Sequence, residues 1–343
     1  MVKSIQALRA LGAILVFTHH FGFNCVMVTA AGDCAVAMFM MLSGYVLAMA
    51  YSRPGRVLPS VSGFMVRRLI NLYPLYFASI IISLLIDGLH PHTDMWYAVL
   101  ADVLMIQSWI PYVKVYFACN APVWFVSDLM LCYMLFLPVL KRVVESRRSV
   151  LSNYIYIVIA YFTVVLAVPR HRIQDIIYIQ PLMQFPVFML GMLLYEFTGR
   201  KVSGAVGCPN LRIFLSFSLM AVCLYVYRFV PGRLGLSSFW WIPVAVLIVQ
   251  VVRADSVCCI SSSIMRSRML VMLGDISFSF YIIHMPWIFV WRRLLGHAGI
   301  TVPLWLSYIL CLLTLIMLSI AVRDYFEKPV ARWLENRFSR QVS

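Results

Sequence analysis

The sequence predicts an all-α integral membrane protein that crosses the bilayer about ten times. Its composition is the first indication: 63% of the residues are hydrophobic, 12% are charged and the mean hydropathy is +0.89, unlike a soluble domain. The second is a series of apolar runs, each long enough to cross a bilayer as a helix. We place the spans at about residues 4–24, 34–52, 70–88, 122–140, 152–169, 179–198, 211–229, 238–253, 271–294 and 303–323.

The basic residues predict the orientation of these spans. With both termini in the cytoplasm, about three quarters of the 28 Lys and Arg residues fall on the cytoplasmic side, as the positive-inside rule requires. Residues 95–110 are apolar, but they are few and include Asp102, so we expect an interfacial or re-entrant helix there. If residues 95–110 formed an eleventh span, every later loop would change sides and the asymmetry in basic residues would be lost. The net charge of +15 is thus explained by orientation and by anionic membrane lipids, and we expect no nucleic-acid partner.

The first span contains the polar residues with the clearest spacing. Arg9 and His20 are separated by three helical turns with only about 20° left over, so both lie along one face of the helix. Their separation along the axis is about 16 Å, roughly half the thickness of the hydrocarbon core. His19 points about 80° away from this line. A cation and an imidazole aligned in a membrane helix are costly, which indicates a functional site.

The second and third spans contain a small-residue pair and an arginine pair. Ser43 and Gly44 are typical of a packing notch between membrane helices. Arg67 and Arg68 lie at the cytoplasmic end of the third span, and two interpretations of them remain open. The commoner one is a positive-inside anchor. The other is an anion clamp, because paired guanidinium groups bind phosphate in bidentate geometry.

Polar residues also occur on both sides of the start of the fourth span. His90, His92 and Asp94 are metal-ligating residue types on a turn that contains proline, but no fourth ligand is visible, so we expect no metal site. Trp124 fits a residue of the interfacial aromatic belt. Asp128 is an ionisable group just inside the span.

The last two features lie near the C-terminal end. His284 in the ninth span is followed by Pro286, and it either satisfies carbonyl groups that the proline frees or belongs to a functional site. Residues 323–343 are basic and contain Phe326, Trp333 and Phe338. For them we expect an amphipathic helix on the cytoplasmic membrane surface, within a single domain that covers residues 1–343.

Six segments, in order along the chain, resemble the membrane-bound acyltransferase-3 family of bacterial O-acyltransferases. They are LRALGAILVFTHHF, FMMLSGYVL, RRLINLYPLY, VWFVSDLMLCYMLFLP, FSFYIIHMP and FEKP. The resemblance maps the family's basic residue and histidine onto Arg9 and His20, its Leu-Ser-Gly segment onto residues 42–44, and its arginine pair onto Arg67 and Arg68. Three positions depart from the family pattern. Asn71 stands where the family has a basic residue, and Ala37 and Leu129 stand where it has acidic residues.

The resemblance implies a reaction. An acyl group, usually acetyl, would pass from cytoplasmic acyl-CoA to a hydroxyl group of a cell-surface or lipid-linked glycan at the bacterial inner membrane. It implies that His20 acts as a general base or a transient acyl carrier, while Arg9, Arg67 and Arg68 bind the CoA phosphates. Acyl-CoA is then a substrate, and no tightly bound cofactor is implied. Further candidates for lining the site are Ser43, Trp124, Asp128 and His284.

Two other functions remain open. A transporter or flippase for polysaccharides or small molecules would use the same polar residues to line a path, with broken helices and repeated halves around a midplane site. The sequence shows no repeat, and its polar groups cluster in the first three spans, which favours the enzyme. A regulatory membrane protein without catalysis is the third possibility.

Overall fold

The computed structural model describes residues 2–23, 25–53, 55–86, 96–198, 208–255, 257 and 259–338. All regular structure within these ranges is helical. The α-helices are α1 (Lys3–Phe21), α2 (Val26–Tyr51), α3 (Val61–Leu85), α4 (Trp96–Val103), α5 (Val113–Tyr116), α6 (Trp124–Glu145), α7 (Arg147–Ala167), α8 (Pro181–Thr198), α9 (Pro209–Val226), α10 (Gly232–Gly235), α11 (Trp241–Asp255), α12 (Ile260–Met265), α13 (Arg268–Asp275), α14 (Ser277–His297), α15 (Leu304–Val322) and α16 (Lys328–Arg337). The turn with His90, His92 and Asp94 lies outside the described residues.

Several of these helices can cross a membrane, which confirms an all-helical membrane fold. In the described part of the chain six helical stretches are long and apolar enough, and a seventh is added if the pair α13–α14 counts as one broken span. The six are Val26–Tyr51, Val61–Leu85, Ala121–Val143, Val150–Ala167, Pro209–Phe229 and Leu304–Arg337. Each predicted span overlaps at least one helix, but the count of ten and the cytoplasmic termini stay predictions.

Three local features refine the predicted spans. The segment predicted not to cross, 95–110, contains α4, whose eight residues are too short for a bilayer. The predicted ninth span, 271–294, is wrong as a single helix, because the chain breaks at Ile276 between α13 and α14. The predicted tail helix continues from α15 through a π-helical turn, Arg323–Glu327, into α16. Its contact with the membrane surface stays a prediction.

The chain forms two compact units. The first comprises Met1–His19, Phe23–Leu58 and Leu135–Asp275. The second comprises His20–Gly22, Pro59–Met134 and Ile276–Ser343.

Close packing of α2 against α8 characterises the first unit. A Cβ atom on Gly44 would lie 2.0 Å from the carbonyl oxygen of Phe188, and one on Gly191 would lie 2.0 Å from the carbonyl oxygen of Met41. Each glycine therefore admits the backbone of the other helix, as small residues do in membrane proteins. This confirms the packing notch predicted at residues 43–44. The Ser43 hydroxyl donates to the carbonyl of Phe39 in its own helix, at 2.7 Å.

A buried polar network in the second unit holds the segment between α3 and α6. The hydroxyl of Tyr76 donates to the carbonyl of Asp102 at 2.6 Å and receives the Gln107 amide at 3.0 Å. The backbone N–H of Cys119 donates to the Asp102 carboxylate at 3.1 Å. Burial raises the pKa of Asp102 to about 7. The network thereby fixes Asn120, the next residue after Cys119.

Candidate active site

The two histidines at the end of α1 have different surroundings. His19 packs against Gly32 of the first unit, and its Nδ1 lies 3.3 Å from the carbonyl oxygen of Val28. His20 belongs to the second unit, where its Nδ1 lies 3.2 Å from Nε2 of His284. The centroids of these two rings are 5.0 Å apart, with 52° between their planes. The prediction that the neighbouring histidines differ in direction is confirmed.

His284 is fully buried on α14 and contacts polar atoms through both ring nitrogens. Its Nε2 faces His20, and its Nδ1 lies 2.6 Å from the carbonyl oxygen of Tyr281, one turn earlier in the same helix. The hydroxyl of Tyr281 donates to the carbonyl of Pro122 at 2.5 Å. The ring of His284 is thus held between its own backbone and His20.

Asn120 satisfies the carbonyl group that Pro286 frees. Proline has no N–H, so the carbonyl of Ile282, four residues earlier, loses its donor within the helix. The side-chain amide of Asn120 donates to this carbonyl at 2.8 Å and lies 3.3 Å from the hydroxyl of Ser79. The interpretation that His284 satisfies the proline-freed carbonyl is therefore wrong for Ile282, although His284 does bind a neighbouring carbonyl.

The start of α6 also faces α14 within the second unit. The rings of Phe125 and Tyr281 lie 5.9 Å apart. Asp128 is fully buried, and neither carboxylate oxygen has a hydrogen bond of ordinary geometry, although Ser108 lies beside the group. Trp124 is only 5% exposed, so its assignment to a lipid-facing interfacial belt is wrong, because it is buried inside the protein.

The arginine pair lies near the start of α3 in the second unit, and Arg68 contacts two aromatic rings there. The guanidinium of Arg68 lies over the rings of Phe64 and Tyr133, at 4.9 and 5.5 Å from their centroids. Among the described residues no carboxylate pairs with Arg68, and its Nε has no hydrogen-bond partner. The carbonyl of Arg67 receives the side-chain amide of Asn71 at 2.8 Å. Ring stacking thus fixes Arg68 without neutralising it.

Arg9 belongs to the first unit and takes part in a polar chain there. Its Nη1 lies 3.4 Å from the side-chain oxygen of Gln6, whose amide donates to Asp275 at 2.7 Å. Arg9 is half-buried in α1. The helix is continuous from Lys3 to Phe21, so the predicted three turns between Arg9 and His20 are present.

The predicted site residues are divided between the two units. His20 and His284 are in contact, and the second unit also contains Arg67, Arg68, Trp124 and Asp128, whereas Arg9 and Ser43 belong to the first. Asn120 and Tyr281 were missed by the sequence reasoning. In the described ranges no three His, Cys, Asp or Glu side chains are arranged to hold a metal ion.

Comparison with known proteins establishes the family. The sequence profile described as "Acyltransferase domain", that of the acyltransferase-3 family, matches residues 2–324. The chain belongs to the acyltransferase-3 family. It is 28% identical to the acyltransferase MdmB of Streptomyces mycarofaciens, over 98% of this chain and 93% of that protein. No solved structure matches the chain. The family and this relative support membrane acyl transfer, and the histidine pair lies in the matched region.

Proposed function

We propose that this acyltransferase-3 protein moves an acetyl group from cytoplasmic acetyl-CoA to a hydroxyl group of a cell-surface or lipid-linked glycan. The hydroxyl oxygen attacks the thioester carbonyl, a C–O bond forms and the C–S bond breaks. The hydroxyl proton passes to His20 and from there to the departing thiolate of CoA, so the base is restored after each cycle.

The contact between His20 and His284 is the observation that carries this proposal. A general base must be neutral before it takes a proton and must point in a fixed direction. A histidine partner meets both needs, because it orients the ring of His20 without placing a charge beside it. A second route, in which His20 carries the acyl group briefly as acyl-histidine, uses the same residue and remains open.

We assign the CoA phosphates to Arg67 and Arg68, and we keep Arg9 as a third candidate that the family resemblance implies. The support for this assignment is the state of Arg68, whose guanidinium is stacked on two rings and has no carboxylate partner among the described residues. A planar guanidinium held in this way presents its N–H groups to a phosphate in bidentate geometry.

We place the protein in the bacterial cytoplasmic membrane with ten spans and both termini in the cytoplasm. The basic asymmetry supports this orientation, which puts the arginine pair on the side where acyl-CoA is found. The acceptor is then a saccharide reached from the outer half of the membrane, and membrane lipids surround the helices.

A transporter or flippase is the second candidate function. The break between α13 and α14 favours it, because broken helices are typical of transporter sites. Purified protein incubated with radiolabelled acetyl-CoA, with and without a membrane glycan fraction, separates the two candidates. We expect label in the glycan with native protein and about 10²-fold less or lower with His20→Ala. Glycan movement across the membrane that survives His20→Ala, without acetylation by native protein, would favour the transporter.

A further inference from the structure

We infer that His284 is a positioning residue that fixes the tautomer of His20, so that Nε2 of His20 is the nitrogen that takes the acceptor's proton. The inference rests on the proposed function, in which His20 is the base. It adds which of the two nitrogens acts, and which residue determines that choice.

The proton positions follow from the hydrogen-bond network. A carbonyl oxygen only accepts, so the 2.6 Å contact with Tyr281 requires a proton on Nδ1 of His284. A neutral imidazole carries a single ring proton, and a charged ring is costly at a fully buried position. Nε2 of His284 is therefore an acceptor. Its 3.2 Å contact with His20 is a hydrogen bond when Nδ1 of His20 carries the proton, which leaves the lone pair of neutral His20 on Nε2.

The direction of the His284 ring is itself fixed by the surrounding backbone. Asn120 donates to the Ile282 carbonyl that Pro286 frees, and Tyr281 donates its hydroxyl to the carbonyl of Pro122. Asn120 and Pro122 thus bind α14 at two consecutive residues, Ile282 and Tyr281, just before His284. Pro286, two residues after His284, therefore serves the site, because it frees the carbonyl through which Asn120 holds the helix.

His284 assists the reaction without changing its own protonation state. When Nε2 of His20 takes the acceptor's proton, the imidazolium keeps its Nδ1–H on Nε2 of His284. The same Nε2 proton then goes to the thiolate sulfur of CoA as the thioester bond breaks. His284 neither gains nor loses a proton. It orients the ring and stabilises the imidazolium by accepting its second N–H.

Three substitutions at one position test this inference. His284→Gln places an amide oxygen near the position of Nε2 and keeps an acceptor for His20. His284→Asn places an amide near Nδ1 and keeps only the bond to Tyr281, and His284→Ala keeps neither. We expect acetyl transfer by the Gln variant to stay within about one order of magnitude of native, and the Asn and Ala variants to lose about 10²-fold or more. The KM for acetyl-CoA should stay unchanged in all three.

Nitrogen NMR of ¹⁵N-histidine-labelled protein gives a readout independent of activity. The native protein should show His20 with its proton on Nδ1, assigned with His20→Ala, and His284→Ala should show a mixture of tautomers. Native rates in all three variants, or an active Asn variant beside an inactive Gln variant, would overturn the inference, as would a proton on Nε2 of His20 in the native protein. Full transfer by His20→Ala would instead overturn the proposed function and leave the measured tautomer intact.

Discussion

Nδ1 of His20 and Nε2 of His284 lie 3.2 Å apart although 264 positions separate the two residues in the chain. The first lies in the last turn of α1 and the second is buried on α14. The contact joins the first and the ninth predicted spans, both of which lie within the family match.

The bond between Asn120 and α14 can be tested by restoring the donor that Pro286 removes. Asn120→Ala leaves the buried Ile282 carbonyl without a donor, which we expect to cost about 1–3 kcal/mol and to lower the melting temperature in detergent. Adding Pro286→Ala supplies a backbone N–H to the same carbonyl. The double variant should therefore be more stable than Asn120→Ala alone. Losses that simply add, measured in a double-mutant cycle, would disprove the link.

The arginine pair should bind acyl-CoA and not the acceptor. Arg67→Ala, Arg68→Ala and Arg9→Ala should each raise the KM for acetyl-CoA by about ten- to a hundredfold, because each removes a charge-assisted hydrogen bond. Lysine at Arg68 should rescue only in part, since an ammonium group provides neither the planar stack over Phe64 and Tyr133 nor the bidentate fork.

The matched control for these variants is Arg212→Ala, an exposed arginine near the start of α9 that belongs to the same predicted cytoplasmic side. It should leave the KM for acetyl-CoA unchanged. Complete rescue by lysine at both Arg67 and Arg68 would show that the pair is only a topological anchor, because the positive-inside rule does not distinguish the two cations.

Asp102 should make stability depend on pH. Its pKa is raised from 3.8 to about 7 by burial, so the folded protein holds a proton that the unfolded chain releases between these values. The proton held by Asp102 therefore adds on the order of 4 kcal/mol to the free energy of unfolding. This contribution is complete below about pH 4 and is lost as the pH rises through about 7. Asp102→Asn keeps an acceptor for the Cys119 N–H and does not titrate. Its melting temperature should vary less than that of the native protein between pH 4 and 7, and an equal slope would contradict the assignment.

Orientation can be tested with an impermeant thiol reagent on whole cells. The nine native cysteines are removed first, and single cysteines are placed at the exposed positions Ser60 and Lys114. A cysteine at Lys114 should be labelled and one at Ser60 should not, because we place the loop before α3 in the cytoplasm. Labelling of Ser60 from outside would put the arginine pair away from cytoplasmic acyl-CoA and would remove its proposed role.

The sequence predicted those parts of the site that depend on helical geometry. The helical periodicity of α1 predicted that His19 and His20 point in different directions. The small residues at 43–44 indicated the tight packing that Gly44 makes against α8. Both follow from a regular helix, whose side-chain directions depend only on the number of residues between them. Hydropathy located the helices but not all their ends: α2 begins at Val26 and α3 at Val61, eight and nine residues before the predicted spans.

The remaining parts depend on contacts between distant segments. Asn120 lies in an irregular stretch between short helices, and the carbonyl that it binds is 162 positions away. Pro286 predicts that the carbonyl four residues earlier needs a hydrogen-bond donor, but nothing in the sequence indicates which side chain provides it. The break at Ile276 and the burial of Trp124 likewise arise from packing, which no local pattern records.

The most direct test of the central proposal is the transfer of label from radioactive acetyl-CoA to a membrane glycan fraction by purified His20→Ala and His19→Ala variants. Both should insert and melt like the native protein in detergent. We expect His20→Ala to lose about 10²–10⁴-fold in rate, as removal of a general base does, while His19→Ala, whose ring contacts Val28 and Gly32, keeps most of its activity. An active His20→Ala beside an inactive His19→Ala would contradict the account.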